Sequence, residues 1–275
     1  MINQKSNMKD LLNPKSIVII GVSENLNKLN GRVFKFLLDK KYSGKIYLVN
    51  PKYKKILHYV CFKSVSDIKK KIDLAVITVP SNLVKGELKK VGQKKIKTAI
   101  IFSSGFSETG NDGKNLEKEI MEISKKYKTR ICGPNCLGVI NTFENVFATF
   151  SQYGMKETKA GPVGFVSQSG AFGTAIAALA RERNIGLGYF VNTGNETDIS
   201  FSECMEYILN DKRIKVGAGY IEGVTDATKF IELLKKIKSL KKPLVITKVG
   251  KTVAGAKAAA SHTGALAGED RVFGR

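Results

Sequence analysis

The sequence predicts an α/β protein built from two parallel-sheet units, and three observations carry that expectation. Short apolar runs ending in Gly or Pro recur along the chain, charged helical stretches separate them, and the rhythm restarts near residue 160. Strands alternating with helices at this spacing build parallel, doubly wound sheets, because each crossover needs a helix to bring the chain back to the same end of the sheet. At 275 residues the chain is long enough for two ordinary domains.

The elements follow in order. Ile17-Val-Ile-Ile-Gly21 is a buried-strand pattern ending in Gly, and residues 32–39 then read as a helix. Lys45-Ile-Tyr-Leu-Val-Asn-Pro51 and Leu74-Ala-Val-Ile-Thr-Val-Pro80 are strands stopped by proline. Thr98-Ala-Ile-Ile-Phe102 is a fourth strand, followed by the loop Ser103-Ser104-Gly105-Phe106, a charged helical stretch over 113–128, and Arg130-Ile-Cys-Gly-Pro-Asn135. The second series opens with Val163-Gly-Phe-Val166, which runs into Ser167-Gln168-Ser169-Gly170 and an Ala-rich helix reaching about residue 183. Strands over 187–191, 216–222 and 244–249, with a helix over 227–239, complete it. The division expected is residues 1–145 and 146–275, joined around 142–160.

Composition excludes several classes. Hydrophobic residues make up 43% and charged residues 25%, the balance of a globular chain. The longest apolar runs are strand-length, and the first ten residues lack an apolar signal core, so no membrane segment is expected and the cytoplasm is the expected compartment. Cys61, Cys132, Cys136 and Cys204 have no paired spacing that argues for disulfides or zinc, so no metal site is expected. The net charge of +22 invites a nucleic-acid reading. The lysines, however, are scattered as pairs through helical stretches without an aromatic recognition pattern. A solvated basic surface that draws in anionic ligands is the reading adopted.

Every distinctive motif falls beyond the carboxyl end of a strand, where open parallel sheets bind ligands. Gly21-Val-Ser23 leads through Lys28 to Gly31 and departs from the dinucleotide fingerprint, which disfavours a dehydrogenase. Its amides and Lys28 suit phosphate oxygens, although such a Gly-Ser turn is equally often structural. Ser167–Gly170 delivers hydroxyls and a glycine onto a helix start, where free amides and the helix dipole favour an anion. Gly-x-Ser-x-Gly is absent, so a serine hydrolase finds no support. Glu222 ends a strand, and His262 sits among small residues in Ala258-Ala-Ala-Ser-His-Thr-Gly264. Alone, His262 reads as a surface histidine beside a helix cap; a strand-end carboxylate and an anion-ready turn in the same unit favour proton or group transfer instead.

Taken in order, Ser16-Ile-Val-Ile-Ile-Gly-Val-Ser23, Val49-Asn-Pro-Lys52, Val76-Ile-Thr-Val-Pro80, Gly133-Pro-Asn-Cys-Leu-Gly138, Val166-Ser-Gln-Ser-Gly170, Gly194-Asn195, Ile221-Glu-Gly223 and Ala260-Ser-His-Thr-Gly264 resemble the α-type portion of ADP-forming acyl-CoA (acetate–CoA) synthetases, relatives of succinyl-CoA synthetase. The resemblance runs over nearly the whole chain from about residue 12. It implies a Rossmann-like CoA-binding domain followed by a flavodoxin-like ligase domain. It further implies that Gly21, Ser23 and Lys28 handle CoA phosphates, that Lys52, Val79, Pro80 and Ser103–Phe106 line the CoA path, and that Asn135 and Cys136 lie near the thiol. By the same resemblance His262 is the transiently phosphorylated histidine, Glu222 its supporting carboxylate, and Ser167, Gln168, Ser169 and Gly170 hold the phosphoryl group. The implied ligands are CoA, a small carboxylic acid, phosphate, and ADP or ATP with Mg²⁺. The nucleotide is expected on an ATP-grasp portion, either a β subunit or a C-terminal extension, within an oligomer. The chain ends at Arg275, soon after the His262 loop, where such a protein is expected to continue. A non-catalytic CoA-binding module is the alternative reading.

Overall fold

The computed structural model describes residues 4–250, with side chains from residue 7 onward. Two sheets account for the architecture. The first contains β1 (Ser16–Ile20), β2 (Lys45–Val49), β3 (Lys55–Ile56), β4 (Tyr59–Phe62), β5 (Leu74–Ile77), β6 (Thr98–Ile101) and β7 (Arg130–Cys132). Their order is β3-β4-β2-β1-β5-β6-β7, parallel throughout except for the small β3–β4 hairpin at the edge. The helices are α1 (Gln4–Leu12), α2 (Leu29–Asp39), α3 (Ser81–Gln93) and α4 (Asn111–Tyr127).

β1 is buried along its whole length, and its side chains alternate between two cores. Ile17 and Ile19 pack with Leu11, Leu12, Phe34 and Leu37 of α1 and α2. Val18 and Ile20 pack with Val84, Leu88 and Ile120 of α3 and α4. A strand covered on both faces has no solvent side, which is why this segment reads as a continuous apolar run. Topology reverses direction between β1 and β5, so the loops after these two strands flank a crevice at their carboxyl ends.

The second sheet contains β8 (Gly138–Asn141), β9 (Val146–Thr149), β10 (Val163–Ser167), β11 (Leu187–Asn192), β12 (Val216–Ile221) and β13 (Leu244–Lys248). Its helices are α5 (Gly170–Glu182), α6 (Phe201–Leu209) and α7 (Ala227–Leu240). The order is β13-β12-β10-β11-β8-β9, and the reversal here lies between β10 and β12. The four strands β10 to β13 are parallel, whereas the β8–β9 hairpin pairs antiparallel with β11, Val139 opposite Val191. The sheet is therefore mixed rather than wholly parallel. Because β8 and β9 belong to one hairpin, a division at 145/146 would cut it. Sheet membership changes at residues 133–137, and we propose that segment as the boundary.

α1, the β3–β4 and β8–β9 hairpins, α3 and α6 are additions to the expected elements. α6 does carry a sequence signal: Ser200 accepts from the Glu203 amide while Glu203 accepts from the Ser200 amide, the reciprocal capping box of Ser-x-x-Glu.

The core is continuous across the two sheets. Met8, Leu11 and Leu12 share one cluster with Val139, Phe201, Met205 and Ile208. A charged latch reinforces the junction. Arg130 on the edge strand β7 donates from Nε to both carboxylate oxygens of Asp198 (2.8 and 3.0 Å) and from Nη2 to both of Glu203 (3.0 and 3.2 Å). The Ile131 amide adds a bond to Asp198 Oδ2 (2.8 Å), and the Ile199 amide donates to the Ile131 carbonyl (3.0 Å). No helix of the described residues is long and apolar enough to cross a membrane.

Arg130 has 17% of its side chain exposed and its partners 14% and 10%, so removing the guanidinium strands two largely buried carboxylates. Arg130→Ala is expected to destabilise the fold by about 3 kcal/mol, read from the shift of the denaturant midpoint. A loss of only a few tenths would show that the latch behaves as a surface ion pair.

Candidate functional site

β1 delivers the chain into Gly21, whose φ is +91°. A Cβ there would fall 2.7 Å from Val79 Cγ1, so glycine is what allows the loops after β1 and β5 to touch. The turn is held by amide side chains: Asn30 Nδ2 donates to the Gly21 carbonyl (2.7 Å) and Asn50 Nδ2 to that of Val22 (2.8 Å). Ser23 is buried and its hydroxyl accepts from the Asn25 amide (3.1 Å). Lys28 stands exposed at the start of α2, and no side chain caps that helix end. Lys52 is exposed, Val79 half-buried, and Pro80 exposed at the start of α3, which also lacks a side-chain cap. Two uncapped helix starts, two lysines and a glycine turn therefore surround the first crevice, an arrangement suited to phosphate oxygens.

The loop after β6 is occupied differently. Ser103 Oγ donates to the Val79 carbonyl, Ser104 is exposed, and Gly105 takes a φ of +102° against Ser81. Phe106 is fully buried in the core, so its side chain anchors the loop rather than lining a path. The Glu108 carboxylate accepts from the Gly105 and Phe106 amides (2.6 and 3.2 Å) and from Asn195 Nδ2 (2.7 Å). Burial alone would raise this carboxyl; the Asn195 amide and the loop N–H groups outweigh it and hold it below the usual range. Asn195, from the second sheet, thus clasps a loop of the first.

The loops after β7 and β11 meet backbone to backbone. The Asn195 amide donates to the Pro134 carbonyl (3.0 Å) and that of Thr197 to Gly133 (3.3 Å). A Cβ on Gly194 would sit 2.3 Å from the Pro134 carbonyl oxygen. Asn135, in a left-handed conformation with φ of +54°, donates from Nδ2 to Asn195 Oδ1 (3.2 Å). Cys136 is buried, its thiol directed to the carbonyls of Ile101 and Cys132 (3.4 and 3.8 Å). Asn192 then joins the walls. Its Oδ1 accepts from the Leu137 amide (2.6 Å), while Nδ2 donates to the carbonyls of Ser167 and Gln168 (2.8 and 3.0 Å). The result is a cavity of about 190 Å³, lined on one side by Asn135 and Cys136 and on the other by Gln168, Gly170 and Ala171.

At the second switch point, the polar side chains of Ser167–Gly170 are mostly engaged within the protein. Ser167 is fully buried and its hydroxyl donates to the Ser169 carbonyl (2.7 Å). Ser169 caps α5 by accepting from the Phe172 amide (3.4 Å). Gln168 ties the β10 turn to the end of β12: Oε1 accepts from the amides of Glu222 (2.6 Å) and Gly223 (3.1 Å), and Nε2 donates to the Gly223 carbonyl (2.9 Å). What remains for an anion is the first turn of α5, whose Gly170 and Ala171 line the cavity. Glu222 is buried just past β12, and Gln168 fixes its backbone. His262 lies outside the described residues. Among those residues, no group of three or more His, Cys, Asp or Glu side chains is placed to hold a metal ion.

Two site-building residues carried no signal in the sequence reading. Asn192 acts through hydrogen bonds to distant backbone, and Glu196 is buried behind it. Glu196 Oε1 accepts from Thr193 Oγ1 (2.6 Å) and the Phe201 amide (3.0 Å). Burial pushes its carboxyl up to about 7, against hydrogen bonds from Thr193, Gln168 and the Phe201 amide, with Glu203 adding to the rise.

Comparison with known proteins finds a separate family for each part of the chain. Residues 15–142 match the model of a CoA binding domain, and residues 160–275 that of a succinyl-CoA ligase like flavodoxin domain. The chain is 43% identical over 261 residues to the α subunit of acetate–CoA ligase (ADP-forming) II of Pyrococcus furiosus, which covers 95% of this chain and 56% of that protein. It is 45% identical over 266 residues to the acetate–CoA ligase (ADP-forming) of Methanocaldococcus jannaschii, covering 97% of this chain and 36% of that one. Acetyl-coenzyme A synthetase 1 of Ca. Korarchaeum cryptofilum, solved with phosphate and ADP, superposes with a TM-score of 0.90 at 34% identity, covering 98% of this chain and 57% of that chain. The chain thus spans just over half the length of the first relative and about a third of the second.

Asn192→Leu keeps most of the side-chain volume but strips buried backbone groups of their partners, and a loss of at least about 2 kcal/mol in unfolding free energy is expected. Near-neutral stability would mean that water replaces the amide. For Glu196 the native protein holds a proton that the unfolded chain releases near the ordinary value of 4.5, so its contribution to stability declines as pH rises from there to about 7. Glu196→Gln should remove that slope: the difference in thermal midpoint between variant and parent should move in the variant's favour across this window. A constant difference would show that Glu196 does not titrate there.

Proposed function

We propose that this chain, which belongs to the family of ADP-forming acetate–CoA ligases, supplies the CoA-binding and phosphoryl-transferring α-type portion of an acid–thiol ligase. The observation that carries the reading is the shared cavity: Asn135 and Cys136, beyond the first sheet, and the first turn of α5, beyond the second, open into one space. A thioester held from the CoA side and a phosphate held at the helix start would meet there without crossing solvent.

Gly21, Ser23 and Lys28 hold CoA phosphates, Lys52 adds charge, and the Val79–Pro80 and Ser103–Phe106 segments flank the CoA path. Main-chain amides at Gly170 and Ala171 hold the phosphoryl group, within the turn organised by Ser167, Gln168 and Ser169. In the first transfer a phosphate oxygen attacks the thioester carbonyl. The C–S bond breaks, CoA leaves as its thiol after taking a proton, and an acyl phosphate remains. In the second, a ring nitrogen of His262 attacks phosphorus, the bond to the acyl oxygen breaks, and the carboxylate departs. Glu222, fixed at the strand end, accepts the other ring N–H and stabilises the positive imidazole. In the third, a β-phosphate oxygen of ADP attacks the phosphohistidine, the P–N bond breaks, and ATP forms.

ADP, ATP and the accompanying Mg²⁺ are assigned to an ATP-grasp portion, on a β subunit or a further part of the chain, within an oligomer acting in the cytoplasm. The Korarchaeum relative, solved with phosphate and ADP, supports phosphate and ADP as ligands.

Incubated with acetyl-CoA, phosphate and an ATP-grasp partner, the protein should form an acid-labile phosphohistidine, detected by ³²P labelling. His262→Ala should abolish it. Glu222→Gln should lower it at least about tenfold while CoA affinity stays within about twofold. Label that survives in His262→Ala removes the catalytic assignment, and CoA binding without any label would mark a non-catalytic CoA-binding module.

A further inference from the structure

Glu196 is a buried acid that the proposed reaction does not use, and its contacts lead to both sides of the phosphoryl site. The loop after β11 turns back on itself there, with Glu196 in a left-handed conformation (φ +53°) that long side chains seldom adopt. Each partner of the carboxyl group is a donor. Oε1 accepts from Thr193 Oγ1 (2.6 Å) and from the Phe201 amide at the start of α6 (3.0 Å), and the Gln168 carboxamide donates to the same group. Thr193 in turn stands against the Ser167 carbonyl. Its amide donates there at 3.0 Å, and its hydroxyl lies 3.4 Å away. A hydroxyl has one hydrogen, so it serves Glu196 or Ser167 but not both. Gln168 holds the amides of Glu222 and Gly223. One arm from Glu196 therefore ends on the turn before α5, and the other at the strand end that carries Glu222.

We propose that Glu196 is a positioning residue for transfer between the acyl phosphate and His262, holding the Ser167–Gly170 turn and the Glu222 strand end in fixed relation. This rests on the phosphoryl-transfer reading above. As a carboxylate, Glu196 takes the Thr193 hydroxyl and draws the Gln168 NH₂ toward itself, which keeps Gln168 Oε1 on the Glu222 and Gly223 amides. Once protonated, it has a hydrogen to give. Thr193 Oγ1 can accept it, the threonine hydrogen then turns to the Ser167 carbonyl, and the pull on Gln168 weakens. Burial pushes the Glu196 carboxyl up to about 7 against its hydrogen bonds, so the change falls near neutrality. The other groups that face it keep their charge there. Glu203 on α6 and Asp198 in the same loop are bound by Arg130 of β7. The Cys132 thiol is held neutral by its hydrogen bond with Cys136 and by burial, and the Cys204 thiol by burial.

The test uses the chain assembled with its ATP-grasp portion. Phosphoenzyme is formed in single turnovers from acetyl-CoA and phosphate, the direction that needs the α5 turn and Glu222. It is formed separately from ATP, whose phosphoryl group is delivered on the ATP-grasp portion. Rates are followed from about pH 5.5 to about pH 8.5. The ratio of parent to Glu196→Gln cancels the titrations of phosphate and His262, which both proteins share. With acetyl-CoA and phosphate that ratio should lie within about twofold of unity at the acid end and rise at least about fivefold through neutrality. The rate from ATP and the affinity for CoA should stay within about twofold of the parent. Thr193→Val should lower the acetyl-CoA-driven rate at least about threefold at the alkaline end, whereas Thr193→Ser, which keeps the hydroxyl, should retain the parent's rate and profile. A parent-to-Glu196→Gln ratio that is constant with pH, or equal loss of label from both donors, overturns the inference and marks Glu196 as structural. Should Glu196→Gln not fold, the Thr193 pair decides: equal rates in Thr193→Val and Thr193→Ser overturn it. Absence of label from both donors in the parent is a different failure, that of the phosphoryl-transfer reading itself.

Discussion

The side chain of Asn192 is the joint on which the site depends. From the end of β11 one carboxamide bonds Leu137 in the crossover between the sheets and the Ser167–Gln168 turn at the end of β10. These are the opposite walls of the cavity. A buried amide that satisfies three backbone groups costs little to keep and much to lose, because each partner would otherwise be desolvated without a hydrogen bond. The relative position of the two walls is thereby set by hydrogen-bond lengths rather than by general packing.

Around that joint, contacts of two kinds resist separation of the sheets. The Arg130 latch lies on the edge strand, and its Asp198 partner comes from the same loop that carries Gly194 and Asn195. The Asn195–Glu108 clasp then reaches the loop after β6. One loop of the second unit thus touches the strand-end loops after β6 and β7 of the first. Doubly wound sheets place their binding loops at the carboxyl edge, so two such sheets make a shared site only when those edges face each other. The 192–199 loop is what imposes that facing here. The basic surface contributes at longer range, through a positive field that favours polyanionic ligands without defining where they bind.

Much of this was legible because main-chain requirements write themselves into sequence. Gly21 is needed where two loops touch, Ser169 where a helix must be capped, and apolar runs where strands are covered on both faces. The β-branched runs of β1, β5 and β10 gave away the doubly wound class for the same reason. The order of Gly-Pro-Asn, Ser-Gln-Ser-Gly and the His262 segment further revealed the family. Roles that depend on contact between distant residues were not legible. Nothing local marks Gln168 as a tie to Glu222, or Phe106 as a core residue rather than a lining one. Glu196 looked like part of a loop, yet tertiary burial pushes its carboxyl up to about 7. The hairpin of β8 and β9 escaped because its strands are four residues each and sit where a linker was expected.

The way the polar groups are engaged bears on how the site would work. If the hydroxyls of Ser167 and Ser169 held the phosphoryl group directly, binding would have to break the turn's own hydrogen bonds and rebuild the helix cap. Instead those hydroxyls and the Gln168 carboxamide keep the scaffold fixed, and the donors facing the cavity belong to the main chain at the start of α5. Main-chain donors on a capped helix need no reorientation when charge develops on the phosphoryl oxygens, which is the condition under which fixed dipoles stabilise a transition state most. Glu222 follows the same logic, since Gln168 sets its backbone whether or not a phosphoryl group is present.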